Sequence, residues 1–480
     1  MTKKKQQIAA KGRPKRVAKT AKPKATGKAR PEAAHRRIAA ARADAGAGKS
    51  RPGGPCCPVA RQCGACQSVN RPYGEQLAEK DRAVAELFAG VASADALRPI
   101  LGMRDPYHYR NKVTSPYAPA RTGSASGKGA LQARSIACGM YAAGSHRIVD
   151  TRECLVENET AKAIVQVVRQ LMPKFHMAPY NEDTGEGFLR HAVIRVGHES
   201  GEVLVTLVTN DDAFPGSRSF CRELVRRCPA VTTVVQNVNT RQTNVILGDR
   251  ERVLYGPGFI LDTLCGLSFR ISSQSFYQVN AVQTEVLYRT AVDLAAFAGN
   301  ECAIDAYCGT GTIGLVAAKA GAARVVGVDT VASAIRDARE NARHNGVDNA
   351  EFVVGDAGAF MEDLAAQRAD QAFGAVDGTG EQRAAEPLVL LMDPPRAGAS
   401  EEFLRAAASL APERIVYISC NPQTQVRDID RLRKAGYKVQ VVQPVDMFPH
   451  TPHVETVALL VRGGSAVHGE IAEGGERHGV

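Results

Sequence analysis

The sequence predicts an α/β protein built on a doubly wound, Rossmann-like sheet with an antiparallel last strand, preceded by a smaller β-rich central domain. From about residue 300 onward, short apolar runs alternate with helical segments. This alternation is typical of a parallel sheet with helices on both faces. The last two apolar runs follow each other with no helix between them, which indicates an antiparallel hairpin at a sheet edge. Residues 99–262 are instead rich in short strands and turns.

The C-terminal sheet is expected to take one strand from each apolar run. Its helices are predicted to begin near Thr312, Ala332, Ala359, Glu401 and Thr424. The runs are Cys302–Asp305, Arg324–Asp329, Glu351–Gly355, Leu388–Met392, Arg414–Ser419, Val439–Val442 and Thr456–Val461.

Composition divides the chain into five segments. These are a disordered basic arm, a cysteine-rich loop with a helix, the central β-rich domain, the C-terminal α/β domain and a flexible tail. We place them at residues 1–54, 55–98, 99–262, 263–463 and 464–480.

The net charge of +11 is concentrated at the N-terminus, because residues 1–51 hold 17 Lys and Arg against Glu32 and Asp44. A basic segment without apolar periodicity cannot bury enough surface to fold alone. It suits non-specific binding to phosphates through release of counterions. A solubilising tail without a specific partner is the alternative.

Three features are expected before the C-terminal domain, and one within it. Residues 74–89 have the apolar spacing of a helix, and residues 191–210 resemble two strands around a Glu-Ser-Gly turn. Residues 117–135 and 366–386 are predicted to be loops because they are rich in small and polar residues.

The compartment predicted from the sequence is the cytoplasm. Residues 1–51 lack the apolar core of a secretory signal, and no run of about 18 apolar residues could cross a membrane. The cysteines are unevenly spaced, with four between Cys56 and Cys66, which favours metal or cluster ligands over disulfides in such a chain.

A glycine-rich turn follows the first strand of the C-terminal domain. Gly309, Gly311 and Gly314 lie in "DAYCGTGTIGL", and Asp329 ends the next apolar run. Glycine allows the backbone to lie close to a ligand, and a carboxylate at the second strand can accept hydrogen bonds from ribose hydroxyls. These features alone also fit NAD.

Two acids favour S-adenosylmethionine over NAD. Asp305 precedes the glycines, where it would repel a pyrophosphate but could pair with an amino or sulfonium group. Asp393 begins an Asp-Pro-Pro sequence at the end of the fourth strand, and the prolines there fix a rigid loop.

Cys420 and Glu455 form the predicted catalytic pair. Cys420 ends the fifth strand in "SCNP", and Glu455 begins the last strand. Carbon 5 of uracil becomes nucleophilic only after a thiolate adds to carbon 6, and a base must then remove the proton from carbon 5. A cysteine with a carboxylate therefore suits methylation of that carbon.

The sequence resembles the RNA uracil-5-methyltransferases from about Cys57 to Arg462. Motifs in the family's order are "ISSQSFYQVNAVQTEVLY", "DAYCGTGTIGL", "MDPPRAG", "SCNP" and "HVETVALL". The resemblance implies that Cys420 is the nucleophile and Glu455 the base, with Asp393 also meeting the target base. It further implies a cofactor site made of Gln278, Tyr307, Asp329, Asp356 and Asp393.

The cysteine cluster can be interpreted in more than one way. Cys57, Cys63 and Cys66 have a spacing that suits zinc or an iron–sulfur cluster, and unliganded cysteines are a third possibility. The resemblance favours a structural 4Fe-4S cluster in the central region, with Cys154 as fourth ligand. Cys56 could replace Cys57 in this set.

The expected partner is RNA, bound by a monomer that takes the target uridine out of its stack. The family often carries a small RNA-binding β-barrel before the cysteines, for which residues 1–54 leave too little room. We expect the basic arm to replace it. Ribosomal RNA (23S) is the first expectation and tRNA the second. An NAD-dependent oxidoreductase and a non-catalytic RNA-binding or ribosome-assembly factor are the alternatives.

Overall fold

The computed structural model describes residues 55–120, 132–374 and 386–463. The predicted arm, the predicted tail and most of the loop expected at 117–135 lie outside these ranges.

The N-terminal segment contains the short helix α1 (Ala60–Cys63) and the helix α2 (Tyr73–Phe88), followed by a 3₁₀ turn at Ala94–Ala96. The predicted helix at 74–89 is thus confirmed. Its buried residues are Gln76, Lys80, Val84 and Phe88, which recur every four residues and so share one face. Two of these four are polar, which the apolar pattern did not predict.

The central domain is a six-stranded sheet with two helices on one face. The predicted hairpin at 191–210 is confirmed, because β5 and β6 pair as antiparallel neighbours. The strand order is β2-β1-β5-β6-β7-β8, and β3 and β4 pair separately. The elements are β1 (Lys112–Pro119), β2 (Ile136–Cys138), β3 (Met140–Tyr141), β4 (Ile148–Val149), α3 (Glu159–Leu171), β5 (Leu189–Val196), β6 (Val203–Thr209), α4 (Ser217–Arg227), β7 (Val231–Val238) and β8 (Arg250–Tyr255).

A hairpin of β9 (Phe259–Leu264) and β10 (Leu267–Ser272) follows the central sheet. It spans the position at which we predicted the domain boundary. The Asp262 carboxylate accepts hydrogen bonds from the backbone N–H groups of His198 and Glu199, both at 2.9 Å. The hairpin is therefore joined to the turn between β5 and β6.

The C-terminal domain has the predicted doubly wound sheet. Its strand order is β13-β12-β11-β14-β15-β17-β16, and β15–β17 and β16–β17 are the antiparallel pairs. The elements are α5 (Ala281–Ala295), β11 (Cys302–Ala306), α6 (Thr312–Lys319), β12 (Arg324–Asp329), α7 (Ala332–His344), β13 (Ala350–Val354), α8 (Ala357–Gly374), β14 (Leu388–Met392), α9 (Glu401–Leu410), β15 (Arg414–Ser419), α10 (Pro422–Lys434), β16 (Tyr437–Val445) and β17 (Glu455–Arg462).

One prediction within this domain is wrong in part. The sequence predicts a loop at residues 366–386, but α8 continues to Gly374. Residues 375–385 of the predicted loop lie outside the described ranges. The stretch from Leu364 to Arg368 reads Leu-Ala-Ala-Gln-Arg, and all of these residues favour helix. Helix propensity therefore outweighs the polar composition there.

The core lies on both faces of the C-terminal sheet. Side chains alternate along each strand, so that Ala303 packs into one cluster and Cys302 and Ile304 into the other. Such two-sided burial explains why the strands are continuous apolar runs in the sequence. Within the described ranges, no helix combines the length and apolarity needed to cross a membrane.

Candidate active site

Five parallel strands of the C-terminal sheet end at one edge, and a predicted site residue follows or ends most of them. Ala306 pairs with Val328 on one side and Met392 on the other. The residues that come next on the three strands are Tyr307, Asp329 and Asp393. This is the edge where doubly wound sheets bind their ligands.

The glycine-rich turn lies at this edge and has little spare room. Gly311 has φ 78°, and a Cβ on it would lie 2.7 Å from Phe352 Cε1. A Cβ on Gly314 would lie 2.8 Å from Asp305 Oδ2, whose oxygen instead accepts the Gly314 N–H at 2.8 Å. Glycine is therefore required for the close approach of this turn to Asp305 and the sheet.

Asp329 is held rigidly beside the turn. Its Oδ2 accepts the Gly309 N–H at 3.0 Å, and its Oδ1 accepts the Val331 N–H at 2.8 Å. Each carboxylate oxygen can accept a further hydrogen bond, so ribose hydroxyls can still be bound.

Tyr307 and Asp356 lie close to each other at the same edge. Burial, followed by the charges of Asp356 and Asp428, raises the pKa of Tyr307 to about 12. The Tyr307 ring also packs against that of Phe403 with centroids 5.0 Å apart. Asp356 is exposed, and its Oδ1 accepts the Ala359 N–H at the start of α8.

Gln278 precedes α5 in the chain. Its carbonyl accepts a hydrogen bond from the Asn111 side chain at 3.1 Å, and no hydrogen bond joins it to the other predicted site residues within the described part of the chain. Its place in a cofactor site stays a prediction.

Cys420 and Glu455 come together through the antiparallel pairing of β15 with β17. Ser419 pairs with Thr456 at the end of this ladder, so the next residues, Cys420 and Glu455, lie near each other at the same end of the sheet. Cys420 is half-buried, whereas Glu455 is only 4% exposed.

The acids at this edge are protonated more readily than usual. Burial and then the charge of Asp393 raise the pKa of Glu455 to about 8. Burial raises the pKa of Asp393 to about 7. Burial and then the charges of Glu455 and Asp393 also raise the pKa of Cys420, while Arg396 acts in the opposite direction. Glu455, Asp393 and Arg396 therefore all lie close enough to Cys420 to affect the ionisation of its thiol.

Two neighbours of the pair were not identified from the sequence. Arg396 follows Asp-Pro-Pro, and the Asn421 side chain donates a hydrogen bond to its carbonyl at 3.0 Å. Tyr288 of α5 is buried, and after burial the charges of Asp393, Glu455 and Asp305 raise its pKa. The sequence offers a signal for Arg396, because it lies within the "MDPPRAG" motif. It offers none for Tyr288, whose position is that of an ordinary core residue of a helix.

The predicted cysteine ligands line one cavity. Cys57, Cys63, Cys66 and Cys154 all contribute to its wall, and Cys56 is exposed and does not. Burial raises the pKa of Cys66 to about 11 and that of Cys154 to about 12. The structure thus selects Cys57 over Cys56 as the residue that faces the other three.

Arg110 and Glu157 complete the wall of this cavity. Arg110 Nε is buried and has no hydrogen-bond partner within the described residues. In those residues, no group of three or more His, Cys, Asp and Glu side chains is arranged to hold a metal ion. The four thiols therefore share a cavity, but within the described residues they do not form a site for a metal ion.

Comparison with known proteins matches this architecture to one family. A family model described as tRNA (uracil-5-)-methyltransferase matches residues 258–463. An uncharacterised RNA methyltransferase of Halalkalibacterium halodurans is 40% identical over 408 residues, covering 84% of this chain and 82% of the relative. Another from Listeria innocua is 40% identical over 407 residues, covering 85% and 83%.

A solved structure shares the fold over most of the chain. It is the Pyrococcus abyssi tRNA (uracil-54, C5)-methyltransferase in complex with S-adenosyl-L-homocysteine, with a TM-score of 0.63 and 27% identity. The match covers 82% of this chain and 84% of that one. Together with the strand-end acids and the glycine turn, these similarities show that the chain belongs to the S-adenosylmethionine-dependent RNA uracil-5-methyltransferases.

Proposed function

We propose that this methyltransferase modifies carbon 5 of a specific uridine in structured RNA through a covalent adduct between Cys420 and carbon 6. The observation that carries the proposal is the pairing of Ser419 with Thr456, which brings the adjacent residues Cys420 and Glu455 close enough for the Glu455 charge to affect the thiol. A nucleophile and a base within one pocket are what methylation of this carbon requires.

The first step is addition of the Cys420 thiolate to carbon 6. A bond forms between Sγ and carbon 6, and the electrons of the ring double bond move toward carbon 5 and the carbonyl at carbon 4. The raised pKa of Cys420 keeps it a thiol in the free enzyme, so its proton must pass to solvent as the thiolate forms and adds to carbon 6. Arg396 is the neighbouring cation that favours the thiolate.

Methyl transfer and release follow. When bound, S-adenosylmethionine supplies an electrophilic methyl group, which carbon 5 takes as the sulfonium bond breaks. Glu455 then removes the proton from carbon 5. The electrons of that C–H bond restore the ring double bond and expel the thiolate from carbon 6. A base with a pKa of about 8 is suited to this role near neutral pH.

The cofactor would bind at the edge made by Tyr307, Asp329, Asp356 and Asp393. The fit rests on the cramped turn at Gly311 and on the fixed Asp329 carboxylate, which can still accept ribose hydroxyls. Burial raises the pKa of both Asp305 and Asp393 to about 7, so in their ionised forms they would provide negative charge for the amino and sulfonium groups. Gln278 would join this set from the segment before α5.

We propose that Cys57, Cys63, Cys66 and Cys154, which line one cavity, would hold a 4Fe-4S cluster there. Four cysteine thiolates are the ligand set that such a cluster takes. The unpartnered Nε of Arg110 would face the negative charge of four thiolates. The group would be structural, joining the segment before α2 to the central domain.

Ribosomal RNA (23S) is the substrate that we favour, and tRNA is the second candidate. Seventeen basic residues in the first 51 suit a large substrate rich in phosphate. The Pyrococcus abyssi enzyme acts on tRNA, which supports the second candidate. We further propose that the chain acts as a monomer in the cytoplasm, since one chain supplies every residue of the site.

The experiment is to map 5-methyluridine by mass spectrometry in ribosomal RNA and tRNA from cells with and without this protein. Loss of one or a few sites in 23S RNA would support the first choice, and loss only in tRNA the second. An unchanged content of 5-methyluridine in both would refute the proposal.

The arm has its own test. Deleting residues 1–51 should weaken RNA binding and flatten its dependence on salt, by roughly 0.7–0.9 in the log–log slope for each phosphate that the protein no longer neutralises. The modified position should stay the same, because we attribute the choice of uridine to the folded domains and to the pocket that takes the base out of its stack. An unchanged slope would mean that the arm does not bind RNA and is only a solubilising tail.

A further inference from the structure

The loop between β16 and β17, residues 446–454, leads directly into Glu455. It contains polar groups that the chemistry proposed above does not use. Side chains from the N-terminal segment, far away in sequence, hold it at successive positions.

The first position is Asp446. Lys80 Nζ of α2 donates to Asp446 Oδ1 at 2.6 Å and to the Phe448 carbonyl at 3.2 Å. The Tyr73 hydroxyl donates to Asp446 Oδ2 at 2.7 Å. Lys80 is 6% exposed and Asp446 fully buried, so solvent screens this pair little.

The second position is His450, which is fully buried and adopts φ 70°. Its backbone N–H donates to Gln76 Oε1 at 3.1 Å, and Gln76 Nε2 lies 3.3 Å from His450 Nδ1. His450 Nε2 lies 3.0 Å from the Pro106 carbonyl. Because a carbonyl can only accept, the ring proton is on Nε2. Nδ1 then faces the Gln76 amide, whose two hydrogens are shared between this nitrogen and the carbonyls of Ser68 and Arg71.

Gln76 also links this loop to the cysteine segment. Its Nε2 lies 3.0 Å from the Ser68 carbonyl, and the Ser68 N–H donates to the His450 carbonyl at 3.1 Å. Ser68 is two residues after Cys66. The buried Gln76 amide thus joins α2, the cysteine segment and the loop at His450. His450 lies five residues before the proposed base, Glu455.

We propose that Gln76 and His450 are positioning residues for Glu455, holding the loop so that the carboxylate reaches the proton on carbon 5. The proposal rests on the proposed function. The left-handed backbone of His450 is strained for a residue with a side chain and persists because its surroundings fix it. Removing those surroundings should let the loop shift, and a shift of about 1 Å can cost about a hundredfold in rate.

The test compares two RNA transcripts spanning the mapped site, one with uridine and one with 5-fluorouridine. On 5-fluorouridine the enzyme can add Cys420 and transfer the methyl group, but no proton is present at carbon 5 to remove. Formation of the stable adduct therefore reports the early steps alone. Turnover on the uridine transcript also requires Glu455.

We expect Gln76→Ala and His450→Asn to form the fluorinated adduct within about twofold of the wild-type rate. Both should make 5-methyluridine about tenfold more slowly and accumulate adduct on ordinary RNA. Asn tolerates the left-handed backbone, so His450→Asn leaves the loop conformation accessible while losing the bond to Pro106. His450→Asn also keeps the contacts of Gln76 with the cysteine segment.

The matched control is Tyr117→Phe, which removes one buried hydrogen bond to the Val165 carbonyl in the central domain. It should leave both rates unchanged. Iron content should match wild type in His450→Asn. Equal losses on both transcripts, or no loss on either, would overturn the positioning role. A wild-type protein that neither methylates nor forms the adduct would instead refute the proposed function.

Discussion

The catalytic edge and the cysteine cavity are built in different ways. The catalytic residues follow successive strands of one sheet, whose register fixes their spacing. The cysteine cavity joins a loop at 57–66 with Cys154, about 90 residues further on, and no sheet hydrogen bonds connect the two within the described ranges. The positions of residues at strand ends are therefore fixed by the hydrogen bonds of the sheet. The positions of the four cysteines would instead depend on the group that they bind.

This difference predicts how substitutions in each region affect turnover. Changes at the sheet edge should alter chemistry without altering the fold. Changes at the cavity should alter stability and the content of bound iron more than chemistry.

The largest effect on turnover is expected for Cys420→Ala. Without the thiol, carbon 5 stays unactivated, and methylation should fall by at least about 10³-fold. Cofactor binding, measured by calorimetry, should persist because Cys420 is not among the residues that hold it. Cys302→Ala is the control, since Cys302 is buried at the opposite end of the same sheet. Normal turnover by Cys420→Ala would refute the covalent mechanism.

Glu455→Gln should have the next largest effect. Loss of a positioned general base typically costs about 10²–10⁴-fold. Because the early steps remain, a protein–RNA adduct should accumulate and migrate slowly on a denaturing gel. The double variant with Cys420→Ala should form no adduct. Turnover at the wild-type rate would mean that another group is the base.

A pH profile should show a change of about tenfold. The base must be ionised, and the pKa of Glu455 is raised to about 8, so kcat/KM should rise as the pH increases from about 7 to about 9. The raised pKa of Cys420 acts in the same direction. Adduct formation with 5-fluorouridine needs no base. Its rate should therefore depend on pH only through the ionisation of the Cys420 thiol. A kcat/KM that falls with rising pH over this range would contradict both assignments.

The smallest effect on chemistry is expected at the cavity. Cys66→Ser should reduce iron in anaerobically purified protein from about four per chain to near zero and lower its melting temperature. Turnover of the folded fraction should fall by less than about tenfold. Cys56→Ser is a matched control, because Cys56 is exposed and outside the cavity. Stoichiometric zinc, or equal loss of iron in both variants, would overturn the assignment.

The fold was largely predictable because its signals are local. Apolar runs placed the strands of the C-terminal sheet within a few residues, and most helices began within about two residues of the predicted positions. The exception was α8, whose C-terminal part has a polar composition but strong helix propensity. The central hairpin was identified by its turn residues.

The buried polar residues could not be predicted, because their partners lie far away in the sequence. Gln76 and Lys80 occupy the core face of α2, where the apolar pattern alone gives no reason for them. Their partners, His450 and Asp446, come more than 360 residues later. Only the folded chain shows that these groups satisfy one another.

By itself, the sequence determined the order of the strands along the chain, the glycine turn, the Asp-Pro-Pro and Ser-Cys-Asn-Pro motifs and the spacing of the cysteines. Each depends on residue types and short-range spacing, which the sequence states directly. The tertiary structure alone decided that Cys420 faces Glu455, that Cys57 and not Cys56 lines the cavity, and that Arg110 and Arg396 stand beside the thiols. These facts depend on which distant segments become neighbours, and that is fixed by packing and strand pairing across the whole fold.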